Sequence, residues 1–121
     1  GIMKMQHLTI MTRSLEDSVK FYQEQVGLTN VRDKRDNPAH QIVFLANAAG
    51  EPCVELIANL EAANSSEGIS MGFAVDDVEV ERKKKEAAGL QPGPMVSPNP
   101  KTKFFFVKDP NGVSIQFIQE L

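Results

Sequence analysis

A pattern that occurs twice along this 121-residue chain constrains its fold more than any other feature. Aligning Ser70 with His7 (70 − 7 = 63), and allowing two one-residue gaps further along, brings apolar residues of the two halves onto one another. The matched residues are Leu8 with Met71, Ile10 with Phe73, Leu15 with Val78, Phe44-Leu45 with Phe106-Val107, and Val54 with Ile115. A tandem repeat of one supersecondary unit explains these matches.

Hydrophobic periodicity predicts the same order of elements in each half. Residues 5–11 alternate in polarity, as expected of a strand, and Leu15, Val19, Tyr22 and Val26 recur at helical spacing. Gly27 is predicted to end this helix. Further strands are predicted at about 28–34, 40–47, 52–58, 69–75, 92–96, 103–108 and 113–119, with a second helix over 78–88 that Asp76 or Asp77 can cap. The sequence therefore predicts an α+β fold of two tandem βαβββ modules.

One domain is expected at this length. Module 1 is predicted at about 3–58, a polar linker of small residues at 59–68, and module 2 at about 69–121. A chain of this size buries roughly 65% of its unfolded surface, enough for a core without covalent support. The single cysteine, Cys53, excludes a disulfide framework and fits a reducing, cytoplasmic compartment.

Charge and hydropathy exclude two classes of partner. Thirteen basic and sixteen acidic residues give a net charge of −3, the wrong sign for a protein that binds phosphate backbones. The uncharged stretch at 41–50 is far shorter than the roughly 20 apolar residues needed to cross a bilayer. The beginning of the chain lacks the apolar region and cleavage site of a secretion signal. We therefore expect a small-molecule ligand, and neither nucleic acid nor a membrane as partner.

Four segments in order resemble a known superfamily. They are HLTIMTRSLEDSVKFYQEQVGL starting at His7, VELI ending at Ile57, GFAVDDV, and FFFVKDPNGVSIQFI, and together they span nearly the whole chain. These segments resemble those of the vicinal oxygen chelate superfamily, which includes glyoxalase I, bleomycin-resistance proteins and extradiol dioxygenases. The resemblance implies paired βαβββ modules whose sheets curl around a central cavity. It also implies a homodimer, because two chains or two modules usually complete each site in such proteins.

The resemblance further implies four ligand positions in the metal-using members, which here carry His7, Glu55, Ser70 and Gln116. The sequence departs from the family at two of them, since histidine usually stands at position 70 and glutamate at position 116. Independently of the family, the residues beside all four are apolar, so strand alternation allows the four side chains to share one face.

One hypothesis is a weakened metal site. His7 and Glu55 offer an imidazole and a carboxylate, and the amide oxygen of Gln116 is a third candidate ligand for Zn, Ni, Mn or Fe. Ser70 contributes little, because a neutral hydroxyl is a poor ligand. If the chain is catalytic, the resemblance implies a metal-dependent lyase, isomerase or transferase of the glyoxalase type, in which Glu55 is the candidate base.

The alternative is a metal-free protein that binds or sequesters an organic ligand, as in the bleomycin-resistance branch. A non-catalytic interaction subunit is a third hypothesis. Structural roles remain open as well, because a lone strand histidine such as His7 is often simply hydrogen-bonded, and Gln116 is compatible with a solvated strand face. Within Phe104-Phe105-Phe106, alternation places side chains on both sheet faces, so at least one is expected to line the cavity.

The second helix has a poor apolar stripe. Arg82 and Lys85 stand where the repeat would place Val19 and Tyr22. We expect their aliphatic stems to cover the sheet while their charges reach water. The alternatives are that the helix packs loosely or that it lies at a boundary between chains.

Overall fold

The computed structural model describes residues 2–121, which form two compact units. The first unit ends at Asn64 and the second begins at Ser65, a boundary inside the predicted linker. That the two units make up one domain stays a prediction. In the described chain, neither helix is long and apolar enough to span a membrane.

The first unit is a four-stranded mixed sheet with one helix on it. Its elements are β1 His7–Thr12, α1 Leu15–Phe21, β2 Thr29–Asp33, β3 Ile42–Ala46 and β4 Cys53–Ala58. The strand order is β1-β4-β3-β2, with β1 parallel to β4 and the other pairs antiparallel. Helix α1 packs against β4. The core is therefore built on one sheet face, from alternate residues such as Ile10, Leu45 and Leu56 together with Val19 and Tyr22 of the helical segment.

The second unit repeats this plan. Its elements are β5 Ser70–Ala74, α2 Val78–Ala87, β6 Val96–Asn99, β7 Thr102–Lys108 and β8 Ser114–Glu120. The order is β5-β8-β7-β6, again with the first and last strands of the unit parallel. Helix α2 packs on β7 and β8, and the Asp77 side chain caps it by accepting a hydrogen bond from the Val80 N–H at 3.1 Å. Two identical strand orders confirm the predicted pair of βαβββ modules.

The first helix ends differently from the prediction. Regular α-helix stops at Phe21 and continues as a π-helical turn, Tyr22–Val26. Gly27 ends the segment as predicted, in the left-handed region at φ 86°, where a residue without a side chain is favoured. Widening the last turn buries Tyr22 completely but leaves Val26 only half-buried.

The sixth strand was predicted too early in the chain. It was expected at 92–96 but runs over Val96–Asn99. Pro92 and Pro94 carry no N–H group and cannot take part in a strand ladder, so regular pairing with β7 begins only at Val96, opposite Phe104.

The prediction for Lys85 was wrong. Its side chain is buried rather than reaching water, with the ammonium 3.2 Å from Glu81 Oε2 and 4.7 Å from the centre of the Phe117 ring. Arg82 instead turns along the surface and donates to the backbone oxygens of Pro92 and Gly93. The charge of Lys85 is thus satisfied inside the unit by a carboxylate and an aromatic face.

Candidate functional site

In each unit the sheet has one face under the helix and an opposite face, here called the distal face. On the distal face of unit 1, strand alternation places His7 and Thr9 of β1 beside Cys53 and Glu55 of β4. Phe44 of β3 follows on the other side of Glu55. Polar and titratable groups therefore alternate with apolar ones on a surface that the helix does not cover.

His7 and Glu55 lie side by side on this face. Their closest atoms, His7 Nε2 and Glu55 Oε1, are 3.6 Å apart, and their side chains are 38% and 15% exposed. In the orientation assigned to the Gln6 amide, its Oε1 accepts a hydrogen bond from His7 Nδ1 at 2.9 Å. An amide oxygen can only accept, so in this orientation His7 Nδ1 carries a proton.

Thr9 holds the Glu55 carboxylate. The register pairs the two residues across the parallel strands, and the Thr9 hydroxyl donates to Glu55 Oε1 at 2.6 Å. A hydrogen bond to an ionised group is short and directional, so it restrains the carboxylate beside the imidazole.

Cys53 is a half-buried neighbour of this pair and lies opposite His7. Burial raises the pKa of the Cys53 thiol above its ordinary value, and the negative charge of Glu55 raises the pKa further. The thiol is therefore a poorer nucleophile at neutral pH than an ordinary cysteine.

The distal face of unit 2 carries the repeat-related residues with different chemistry. Ser70 pairs with Ser114 where unit 1 has His7 and Cys53. On the next row along the strands, Gly72 pairs with Gln116 where unit 1 has Thr9 and Glu55.

The Gln116 carboxamide lies over Gly72. A Cβ atom at position 72 would come within 2.9 Å of Gln116 Oε1, closer than real Cβ contacts. The missing side chain of Gly72 thus makes room for the amide, whereas the equivalent Thr9 supplies a donor to Glu55.

The four predicted site residues are brought together in pairs, each within its own unit. His7 lies against Glu55, and Ser70 shares the distal face of unit 2 with Gln116. Within residues 2–121, no three His, Cys, Asp or Glu side chains form a cluster able to hold a metal ion. That all four line one cavity, and that three of them bind a metal, stay predictions.

The sequence reasoning missed Thr9 and Gly72 as parts of the site. Thr9 could have been found, because it lies two residues from His7 and shares its face by strand alternation. Gly72 gives no such signal, since its role depends on the side chain of Gln116 on another strand.

Comparison with known proteins assigns the fold and the family. The model of the Glyoxalase/Bleomycin resistance protein/Dioxygenase superfamily matches residues 4–117. The chain belongs to this superfamily. The resemblance stated above is therefore confirmed, and with it a glyoxalase-like fold of two mixed four-stranded sheets.

Relatives with assigned names include bacterial lyases. The lactoylglutathione lyase of Haemophilus influenzae is 29% identical over 128 residues, covering 97% of this chain and 93% of that protein. A probable lactoylglutathione lyase of Vibrio cholerae is 28% identical, covering 93% and 88%. The trypanothione-dependent glyoxalase I of Leishmania major superimposes with a TM-score of 0.79 at 24% identity, over 98% of this chain and 88% of that one. At that identity the structural likeness shows the fold alone.

Proposed function

We propose that this member of the superfamily is a divalent-metal-dependent lyase or isomerase that acts on a small oxygenated substrate through a weakened metal site. The observation that carries the proposal is the 3.6 Å separation of His7 Nε2 and Glu55 Oε1 on the distal face of unit 1. Similarity to lactoylglutathione lyases over nearly the whole chain supports the class of reaction.

The donor set of unit 1 fits a divalent ion at two positions. Two tetrahedral ligands at about 2.1 Å from one ion lie about 3.4 Å apart, close to the His7–Glu55 separation. A neutral imidazole with its proton on Nδ1 would offer Nε2 as the ligand nitrogen. At the other two ligand positions that the family resemblance implies, this chain carries Gln116 and Ser70. With a neutral amide and a hydroxyl there, the affinity for Zn, Ni, Mn or Fe is expected to be low.

The proposed reaction needs a Lewis acid and a group that transfers a proton. A divalent ion held by His7 and Glu55 would supply Lewis-acid polarisation of the substrate. Glu55 is the group that moves a proton between adjacent substrate carbons, because a carboxylate can accept and return a proton. Thr9 restrains Oε1 of that carboxylate, which leaves Oε2 as the oxygen able to take the proton.

Metal binding is the first test of this proposal. Isothermal titration of protein purified without a histidine tag, with Zn²⁺, Ni²⁺ and Mn²⁺, is expected to show one site per chain. His7→Ala and Glu55→Gln should each weaken metal binding at least about tenfold, because each removes one ligand. A tenfold loss of affinity corresponds to roughly 1.4 kcal/mol.

Matched controls come from the same chain. His40 is its other histidine and Glu51 is a nearby exposed carboxylate, so His40→Ala and Glu51→Gln should bind the ion as the unchanged protein does. Lyase activity toward lactoylglutathione should follow metal loading across the same variants. Equal affinity in all four variants, or loss in the controls, contradicts the proposal.

A second candidate function is metal-free binding of an organic ligand. It is favoured by the aromatic character of the distal faces. Phe104 and Phe106 meet edge to face at 5.7 Å, and the Arg32 guanidinium lies 5.6 Å from the centre of the Phe44 ring. An unmetallated protein that binds an aromatic antibiotic such as bleomycin with submillimolar affinity, and no divalent ion, would establish this function instead.

We also propose that the chain forms a homodimer, as the family resemblance implies. Sedimentation equilibrium should then report twice the chain mass at micromolar concentration, and a single-chain mass would contradict the proposal.

A further inference from the structure

A row of three side chains on the distal face of unit 2 joins the altered ligand position Ser70 to two residues, Ser114 and Lys108, that have no role in the site described so far. Ser70, Ser114 and Lys108 are direct neighbours across β5, β8 and β7. The two hydroxyls and the ammonium are all hydrogen-bond donors. Strand spacing places successive members of the row about 4.8 Å apart, within the reach of one small ligand group.

Lys108 is held over this row and is available to a ligand. Its Nζ donates to Ser114 Oγ at 2.7 Å, which leaves two further N–H donors on the ammonium. In the part of the chain that the structure describes, Lys108 takes part in none of the ion pairs. The neighbouring Asp109 is buried and turns its carboxylate into the β7–β8 turn, where Oδ1 accepts from the Asn111 and Val113 N–H groups.

A shallow, open depression of about 320 Å³ lies against the same row. It is lined by Gly68, Ile69, Ser70, Phe106 and Ser114. Ser70 and Ser114 supply its polar side, while Phe106 and the exposed Ile69 supply an apolar wall. The depression therefore offers contact to an apolar or aromatic group directly beside the hydroxyl pair.

The repeat shows that the two distal faces differ in charge. In unit 1 the corresponding rows contain the Glu55 carboxylate. In unit 2 the rows of Ser114 and Gln116 contain no carboxylate among their cross-strand neighbours, and Lys108 adds a positive charge. The nearest acidic residue on β8 is Glu120, six positions beyond Ser114. One positive charge, two hydroxyls that can donate and no carboxylate in these rows favour an anion.

We propose that this row binds the carboxylate of a small monoanionic ligand whose apolar or aromatic stem packs against Phe106 and Ile69. One ammonium matches one negative charge, and the hydroxyls of Ser70 and Ser114 supply neutral donors to the carboxylate oxygens. The site belongs to unit 2 alone. It deepens the proposed function by naming a carboxylate-bearing substrate class, but it requires no metal ion.

The test compares a carboxylate with its neutral isostere. 3-Phenylpropionate and 3-phenylpropionamide are titrated into ¹⁵N-labelled protein that has been passed over a chelating resin and dialysed, and amide shifts are followed by NMR. The carboxylate is expected to bind about five- to tenfold more tightly than the amide, with shifts centred on Ser70, Phe106 and Ser114.

Two lysine variants isolate the role of the charge. Lys108→Met should remove the preference for the carboxylate and leave binding of the amide unchanged. Lys103→Met is the matched control, because Lys103 lies on the same strand with the opposite parity and pairs with Glu79. This control should keep the preference.

Three results would overturn the proposal. They are equal affinity for the two probes, absence of a saturable shift at their solubility limit, and equal effects of the two lysine variants. Protein that passes this test but binds no divalent ion would refute the proposed metal-dependent function while leaving the carboxylate site intact.

Discussion

The ion pair buried in unit 2 permits a prediction in which two substitutions have opposite signs. The Lys85 side chain is 4% exposed and that of its partner Glu81 is 25% exposed, with 3.2 Å between Nζ and Oε2. The ammonium also lies 4.7 Å from the centre of the Phe117 ring. The attraction of the pair must therefore be weighed against the cost of removing the ammonium from water.

The two contributions nearly cancel. At an effective dielectric constant of about 20, unit charges 3.2 Å apart attract by about 5 kcal/mol, and the aromatic ring adds up to about 2 kcal/mol. Desolvation costs several kcal/mol per ion and offsets most of this. Lys85→Met keeps the apolar stem and removes both contributions, and the remaining Glu81 carboxylate keeps water and Lys84 Nζ, 3.7 Å from Oε1, as partners. The free energy of unfolding should therefore stay the same or rise by about 1–2 kcal/mol.

Glu81→Gln should act in the opposite direction. It leaves a buried ammonium without its counter-charge, a change that costs about 3–5 kcal/mol in a fully buried pair. Because water reaches a quarter of the Glu81 side chain, we expect the lower part of this range, about 2–3 kcal/mol of destabilisation.

Urea unfolding followed by far-ultraviolet circular dichroism measures both changes. Lys84→Met is the control, because Lys84 precedes Lys85 on the same helix and is 65% exposed, so it should alter stability by less than about 0.5 kcal/mol. If Lys85→Met destabilises the protein as much as Glu81→Gln does, the charge of Lys85 is a net stabiliser and the desolvation argument is wrong.

Two further substitutions test electrostatics and close packing. Hydrogen bonds from Arg35 hold the pKa of Asp33 well below its ordinary value of 3.8, so this pair stabilises the fold above that pH and the contribution is lost as the pH falls further. Asp33→Asn should therefore destabilise by about 0.5–1 kcal/mol at pH 7, because the site is partly exposed, and the difference from the unchanged protein in thermal unfolding should shrink toward pH 2. A difference independent of pH would contradict this. Gly72→Ala should displace the Gln116 carboxamide, seen as a shift of its side-chain NH₂ signals, with less than about 1 kcal/mol lost because the crowded atom ends a flexible side chain. Unchanged NH₂ signals would show that Gln116 does not lie over position 72.

The repeat and the strand alternation made much of the fold predictable. Apolar residues at alternate positions identified β1 and β4 and put His7 and Glu55 on the same kind of face, which the structure bears out within unit 1. The errors occurred where local preference was overridden. Strand β6 begins only at Val96, because the prolines before it have no N–H group for the strand ladder. The Glu81 carboxylate and the Phe117 ring keep the charge of Lys85 inside the unit.

By itself, the sequence determined the two βαβββ modules, their order, and the face on which each polar strand residue lies, because strand and helix periods are local properties of the chain. Tertiary structure decided which of those residues touch. The contact of Thr9 with Glu55 joins residues 46 positions apart, and the row of Ser70, Ser114 and Lys108 joins three strands. Such contacts depend on strand register, which is set when distant segments pair and pack.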